Sequence, residues 1–124
     1  MPVRRANTGV GAHVDGGSVG DLEYLNAEFN LEPGTFLFKL HVDGEWDTAA
    51  FTRLDRAMTQ VCADLAGHQQ LPRWLVAGFW YTCDFTTRTI SDSDLPRNEP
   101  APYYERAGRR LRDLNAWLDY GWPI

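Results

Sequence analysis

Apolar side chains recur at intervals of three and four residues along most of the chain, which predicts helices that bury one face. Capping residues and chain breakers mark the predicted helix ends, because aspartate accepts bonds from free amides and glycine or proline stops a helix. These signals predict a mostly α fold of three main helices and a short one. The short helix opens with Ser18 and Asp21 as a capping box. The first main helix runs from Asp47 to Gly67, the second begins at Pro72 and includes 74–81, and the third runs from Pro102 to Tyr120.

One segment has the alternation of a β-strand. Phe36, Phe38, Leu40 and Val42 alternate with other residues up to a turn at 43–44. A single strand is unstable, so it would need a neighbour from the first residues, from 86–90 or from a second copy. A short apolar run can also be helical. The alternative to a mostly α fold is therefore α+β, with one short strand or a small sheet.

The length of 124 residues and the hydrophobic fraction of 44% fit a single packed domain. Residues 1–20 are rich in glycine and predict a flexible arm, so that 21–124 form one compact, mainly helical domain. No apolar run is long enough to span a bilayer, and the first residues lack the apolar stretch of a secretory signal. We therefore expect a cytoplasmic protein that does not contact membranes.

Charge is distributed unevenly along the chain, with a formal net charge of −5. Residues 15–64 hold ten acids against three bases, whereas acids and bases balance after residue 70. Nucleic-acid binding needs a basic face to neutralise phosphates, so we expect no direct contact with nucleic acid. The acids indicate either a basic protein partner or only a surface that keeps the domain in solution.

A repeated motif raises the question of a metal site. His13 and Asp15 recur in the same spacing as His41 and Asp43, and imidazole and carboxylate are ordinary metal ligands. We interpret the recurrence as coincidence and predict no metal and no cofactor. The chain carries no nucleophile motif, phosphate-binding loop or dinucleotide fingerprint, so we predict that it is not an enzyme. A small metal-dependent enzyme that uses these four residues is the less favoured alternative.

The candidate binding residues are acids near one tryptophan. Trp46 lies between Glu45 and Asp47, and an aromatic ring among carboxylates suits recognition of a basic protein surface. Alternatively, Trp46 packs the preceding turn onto the helix that Asp47 begins, as a hydrophobic staple. Further acids lie in the loop 91–102. The predicted partner-binding residues are Asp43, Glu45, Trp46, Asp47, Asp92, Asp94 and Glu99.

Several segments of the chain together suggest a family. They are the stretch from Asp43-Gly44-Glu45-Trp46-Asp47 to Phe51, the Leu71-Pro72-Arg73-Trp74 step, and the closing Tyr103-Tyr104-Glu105-Arg106 to Trp117-Leu118 with a terminal Gly-Trp-Pro. This pattern, over about residues 36–123, resembles the immunity proteins that accompany polymorphic toxins and contact-dependent growth inhibition systems of bacteria.

The resemblance implies a non-catalytic cytoplasmic antidote that binds and neutralises a cognate toxin protein. Many such toxins are nucleases, and an acidic inhibitor can imitate the phosphates that a basic active site holds. An immunity protein of this kind can be a monomer or a homodimer. The alternative is a self-associating regulatory subunit whose exposed strand pairs with a second copy.

Overall fold

A computed structural model describes residues 16–92 and 94–122, with side chains from residue 20 onward. This part of the chain forms five helices and one π-helical turn, and it contains no strand. The mostly α fold class is therefore confirmed. The elements are α1 (Gly16–Phe29), α2 (Phe36–Phe38), the π turn (Lys39–Asp43), α3 (Thr48–Leu65), α4 (Arg73–Ile90) and α5 (Ala101–Tyr120).

The predicted strand is wrong, because the residues that alternate in sequence form α2 and the π turn. Phe36, Leu37 and Leu40 are the buried residues, and this spacing is helical. Val42, at the end of the alternating run, is largely exposed. The self-association alternative consequently loses the strand edge on which it depended.

The first helix begins earlier than predicted. α1 starts at Gly16, so Ser18 lies at the third position of the helix and not at the position before it. Residues 16–20, which were assigned to the flexible arm, are helical. The rest of the predicted arm, residues 1–15, lies outside the described residues.

Helices α3 and α5 run side by side in the same direction, as three contacts along their length show. Thr48 contacts Glu99 just before α5, Arg110 pairs with Asp55 in the middle, and Cys62 Sγ lies 3.5 Å from the Leu114 carbonyl oxygen. The shared core fills the space between these helices, α1 and α4. Its largest fully buried side chains include Tyr104, Phe36, Phe79, Leu54, Met58, Leu75 and Leu111.

The stretch 74–81 is apolar on every side, which predicts a helix buried all round, and the structure contradicts this prediction. Leu75 and Phe79 are fully buried on the inner face of α4, but Trp80 is 59% exposed. Within the described residues α1 and α5 pack on α4, and the side of α4 that carries Trp80 is exposed. No described helix is both long and apolar enough to cross a membrane.

Both cysteines are free thiols. Cys62 is buried in the core, and desolvation raises its pKa to about 12. Cys83 is half-buried, and burial raises its pKa as well. Cys62 belongs to the hydrophobic core, and Cys83 packs against it.

Candidate functional site

The first turn of α3 is capped by Asp47, as predicted. Asp47 accepts a hydrogen bond from the Ala50 amide at 3.0 Å and forms an ion pair with Lys39 Nζ at 2.6 Å. The hydrogen bond from Lys39, and then the one from Ala50, hold the pKa of Asp47 below its usual value. The hydrogen bond to Asp47 in turn raises the pKa of Lys39. This pair ties the π turn to α3.

Trp46 is a core residue with only 2% of its surface exposed. Its Nε1 donates to the Tyr103 hydroxyl at 3.1 Å, and its ring centre lies 4.8 Å from that of Phe36 in an edge-to-face contact. The centres of the Trp46 and Phe51 rings lie 5.2 Å apart. Trp46 is the residue before the cap and Phe51 is the fourth residue of α3, and a contact between these two positions defines a hydrophobic staple. The staple interpretation is therefore confirmed, and the prediction that Trp46 is an exposed binding residue is contradicted by its burial.

Two predicted acids are exposed beside this buried ring. Asp43 ends the π turn, Glu45 follows two residues later, and neither forms an ion pair within the described residues. Glu99 joins them from the loop before α5, where it accepts a hydrogen bond from Thr48 Oγ1 at 2.8 Å. Asp47 and Glu99 lie at the start of α3, where the helix dipole favours negative charge, and Asp43 and Glu45 come four and two residues before Asp47 along the chain. We refer to these four residues as the acidic surface.

The position of Glu99 depends on Tyr104, a buried residue of α5. The Tyr104 hydroxyl accepts hydrogen bonds from the Asn98 and Glu99 amides and donates one to Asn98 Oδ1, each at 3.2 Å. The Arg97 guanidinium lies 4.8 Å from the centre of the same ring. The buried tyrosine therefore holds the loop that brings Glu99 to α3.

The remaining predicted acids form a turn of their own. Asp92 Oδ1 accepts a hydrogen bond from the Asp94 amide at 3.0 Å, and the Leu95 amide donates to the Asp92 carbonyl. Both carboxylates are exposed. Within the described residues no hydrogen bond or ion pair connects them to the acidic surface. Their role in binding a partner remains a prediction.

The second His-Asp pair lies at the π turn. The exposed His41 ring packs against Phe85 of α4, with ring centres 5.3 Å apart. His13 and Asp15 lie outside the described residues. In the part of the chain that the structure describes, no three His, Cys, Asp or Glu side chains are grouped closely enough to hold a metal ion.

A buried carboxylate, Glu28 of α1, was not predicted. It is fully buried and accepts hydrogen bonds from the Phe36 amide at 2.9 Å, the Leu37 amide at 3.0 Å and the Tyr24 hydroxyl at 3.0 Å. Desolvation raises the pKa of Glu28, although the three donors oppose the shift. The signal in the sequence is its place three residues after Leu25, on the apolar face of α1. Glu28 caps α2 and so positions the π turn.

An open cleft of about 450 Å³ lies between α1, α3 and α5. Its polar lining includes Arg110, which donates to Asp55 at 2.9 Å and to Thr59 at 2.6 Å. These bonds connect α3 to α5 through two donors of the guanidinium group. The cleft therefore serves as a polar junction between helices.

Comparisons with protein-family models, curated proteins and solved structures find no match. The function is consequently argued from the acidic surface itself, since a helical fold does not identify an activity.

Proposed function

We propose that this chain is a non-catalytic immunity protein that binds a cognate bacterial toxin domain in the cytoplasm and neutralises it. The partner presents a basic surface, such as the active site of a nuclease, to Asp43, Glu45, Asp47 and Glu99. Binding blocks the toxin directly and needs neither a cofactor nor contact of this chain with nucleic acid.

The observation that carries the proposal is the pair of exposed carboxylates, Asp43 and Glu45. They form no ion pair within the described residues, and Lys39, which attracts Glu45, is itself paired with Asp47, so their charge is available to a partner. They stand on a fixed backbone, since Trp46, directly after Glu45, is buried and hydrogen-bonded to Tyr103. Exposed negative charge of this kind favours fast, steered association with a basic protein.

The test uses the toxin domain encoded beside the gene of this chain. We expect the wild-type protein to bind that domain and to stop its activity. The double variant Asp43→Lys/Glu45→Lys should slow association at low salt by about tenfold or more, because attraction becomes repulsion. Surface-plasmon resonance at several salt concentrations measures the rate, and growth of cells that express both proteins measures neutralisation.

The matched control is Asp64→Lys/Asp119→Lys, which changes the net charge by the same amount. Both residues lie near the helix ends, and 16 residues of α3 put Asp64 about 24 Å from the start of that helix. We expect association to slow much less. Equal slowing by both double variants would mean that only net charge matters, and failure of the wild type to bind the neighbouring toxin would refute the proposal.

A further inference from the structure

The π turn exposes apolar surface beside the acidic residues. Val42 is 58% exposed, although it lies in a run of residues that otherwise contributes to the core. The neighbouring His41 ring packs on Phe85, and Phe85 stacks on Tyr81 with ring centres 5.6 Å apart and planes within 3°. We refer to His41, Val42, Tyr81 and Phe85 as the apolar strip. It continues from the π turn onto α4.

The net charge beside this strip is negative. Asp43 follows Val42 directly, Glu45 lies two residues further on, and neither forms an ion pair within the described residues. The cation of the π turn, Lys39, attracts Glu45 but is itself paired with Asp47. On α4, in contrast, Asp84 is neutralised by Arg88 at 2.8 Å. The strip is therefore bordered by negative charge at the π turn and by a compensated pair on α4.

The turn that presents Val42 is rigid. Gly44 has a φ of 65°, in the left-handed region that closes such a turn, and the Glu45 amide donates to the Lys39 carbonyl at 3.1 Å. The ion pair between Lys39 and Asp47 and the capping of α2 by Glu28 hold the turn on both sides. A surface that is already ordered loses little conformational entropy on binding.

We infer that the apolar strip and the carboxylates of Asp43 and Glu45 form one docking surface for a basic protein segment that carries a projecting apolar side chain. The apolar side chain packs on Val42 and the adjacent rings, while lysine or arginine side chains pair with the two carboxylates. This inference rests on the proposed function and specifies which part of the partner the chain recognises.

Charge complementarity selects this occupant over a second copy of the chain. In a dimer with two-fold symmetry the same patch faces itself, so Asp43 and Glu45 of both copies would meet in an apolar contact. A basic segment removes this repulsion. An acidic or uncharged apolar segment would leave the carboxylates without partners at the edge of the interface.

The test is a titration of the full, ¹⁵N-labelled chain with three capped pentapeptides, followed by NMR. The peptide Lys-Leu-Lys-Trp-Lys should shift the amide signals of residues 41–45 and 81–85. The peptide Lys-Ser-Lys-Ser-Lys should bind at least about fivefold more weakly, because it buries no apolar side chain. The peptide Glu-Leu-Glu-Trp-Glu should not bind there. Equal binding of all three, or shifts elsewhere on the chain, would overturn the inference.

Variants at Val42, and at Asp43 and Glu45, separate the apolar contribution to peptide binding from the contribution of charge. Val42→Ser should weaken binding of Lys-Leu-Lys-Trp-Lys by about fivefold and leave Lys-Ser-Lys-Ser-Lys unchanged, whereas Val42→Ile should bind like the wild type. Asp43→Asn/Glu45→Gln should weaken both basic peptides. Because Val42 is exposed, its variants should melt at the wild-type temperature. Amide shifts at 41–45 that depend on protein concentration without peptide would instead identify a second copy as the occupant.

The two proposals can fail separately. If Asp43→Lys/Glu45→Lys abolishes toxin binding but Val42→Ser binds both toxin and peptide normally, the docking inference is wrong and the proposed function stands. If the peptides bind as expected and the neighbouring toxin is not bound, the docking surface stands and the immunity function is wrong.

Discussion

The parallel helices α3 and α5 are joined differently at their two ends. We call the end where both helices begin the starting end, and the end where both stop the finishing end. At the starting end, Trp46 is buried and donates to Tyr103, and Thr48 donates to Glu99. At the finishing end the backbones themselves come together, since a Cβ atom on Gly121 would lie 3.0 Å from the Cα of Gly67. Trp122, next along the chain, is 61% exposed.

The difference shows what decides whether an aromatic ring is buried. At the starting end the chain supplies aromatic walls and a hydrogen-bond acceptor for the indole of Trp46, so the ring fills the gap between two helices. At the finishing end the contact between two glycines leaves no room for a ring between the helices. One end can therefore fix charged groups on a rigid base, while the other only closes the bundle.

Removing each tryptophan should give the largest contrast between the ends. Trp46→Ala leaves a cavity and removes the indole donor from the Tyr103 hydroxyl, and should lower the free energy of unfolding by about 3–5 kcal/mol. Trp122→Ala removes an exposed ring and should change it by less than about 0.5 kcal/mol. Urea denaturation followed by circular dichroism measures both. Similar losses in the two variants would show that burial does not separate the ends.

Periodicity and capping predicted the regular part of this fold. The cap at Asp47 and the end of the last helix at Tyr120 are confirmed, and Tyr104, Leu111 and Leu118 of that helix are all buried. The strand failed because seven residues of alternation are too short to determine a structure. Contacts that are distant in sequence decided it, as the amides of α2 are capped by Glu28.

For the candidate site, the sequence predicted the properties of single residues but not the contacts between distant residues. Local pattern indicated that Asp43 and Glu45 are exposed and that Asp47 caps a helix. It could not indicate that Glu99 reaches Thr48, because that contact depends on the buried hydroxyl of Tyr104. Nor could it indicate that the apolar surface beside the acids comes from the rings of α4.

Substituting Gly121 tests the close backbone contact at the finishing end. Its φ of 90° disfavours any side chain, and an added Cβ would also press on Gly67. We expect Gly121→Ala to cost about 2 kcal/mol of unfolding free energy, from both effects together. Gly34→Ala is the matched control, because Gly34 has a φ of 92° but no atom within 4 Å of an added Cβ. It should cost about 1 kcal/mol, and an equal cost for both variants would show that the contact with Gly67 contributes nothing.

The smallest expected effect is the dependence of the starting end on pH. The pKa of Asp47 is lowered by Lys39 and by the Ala50 amide, so its ionised form stabilises the folded state. That contribution is fully present above the ordinary aspartate pKa of about 4 and is lost as pH falls through the lowered value of the folded protein. Asp47→Asn keeps a capping side chain but removes the charge, so it should be less stable by about 0.5 kcal/mol at pH 7 and equal to the wild type near pH 2.

The control for this pH dependence is Asp64→Asn at the finishing end. Asp64 accepts a hydrogen bond from Gln60 and forms no ion pair within the described residues. Urea denaturation between pH 2 and pH 7 should therefore show a difference from wild type that grows with pH for Asp47→Asn and stays flat for Asp64→Asn. A flat difference for both variants would mean that the pair of Lys39 and Asp47 does not hold the π turn, and that the acidic surface owes its position to Glu28 and the buried Trp46 alone.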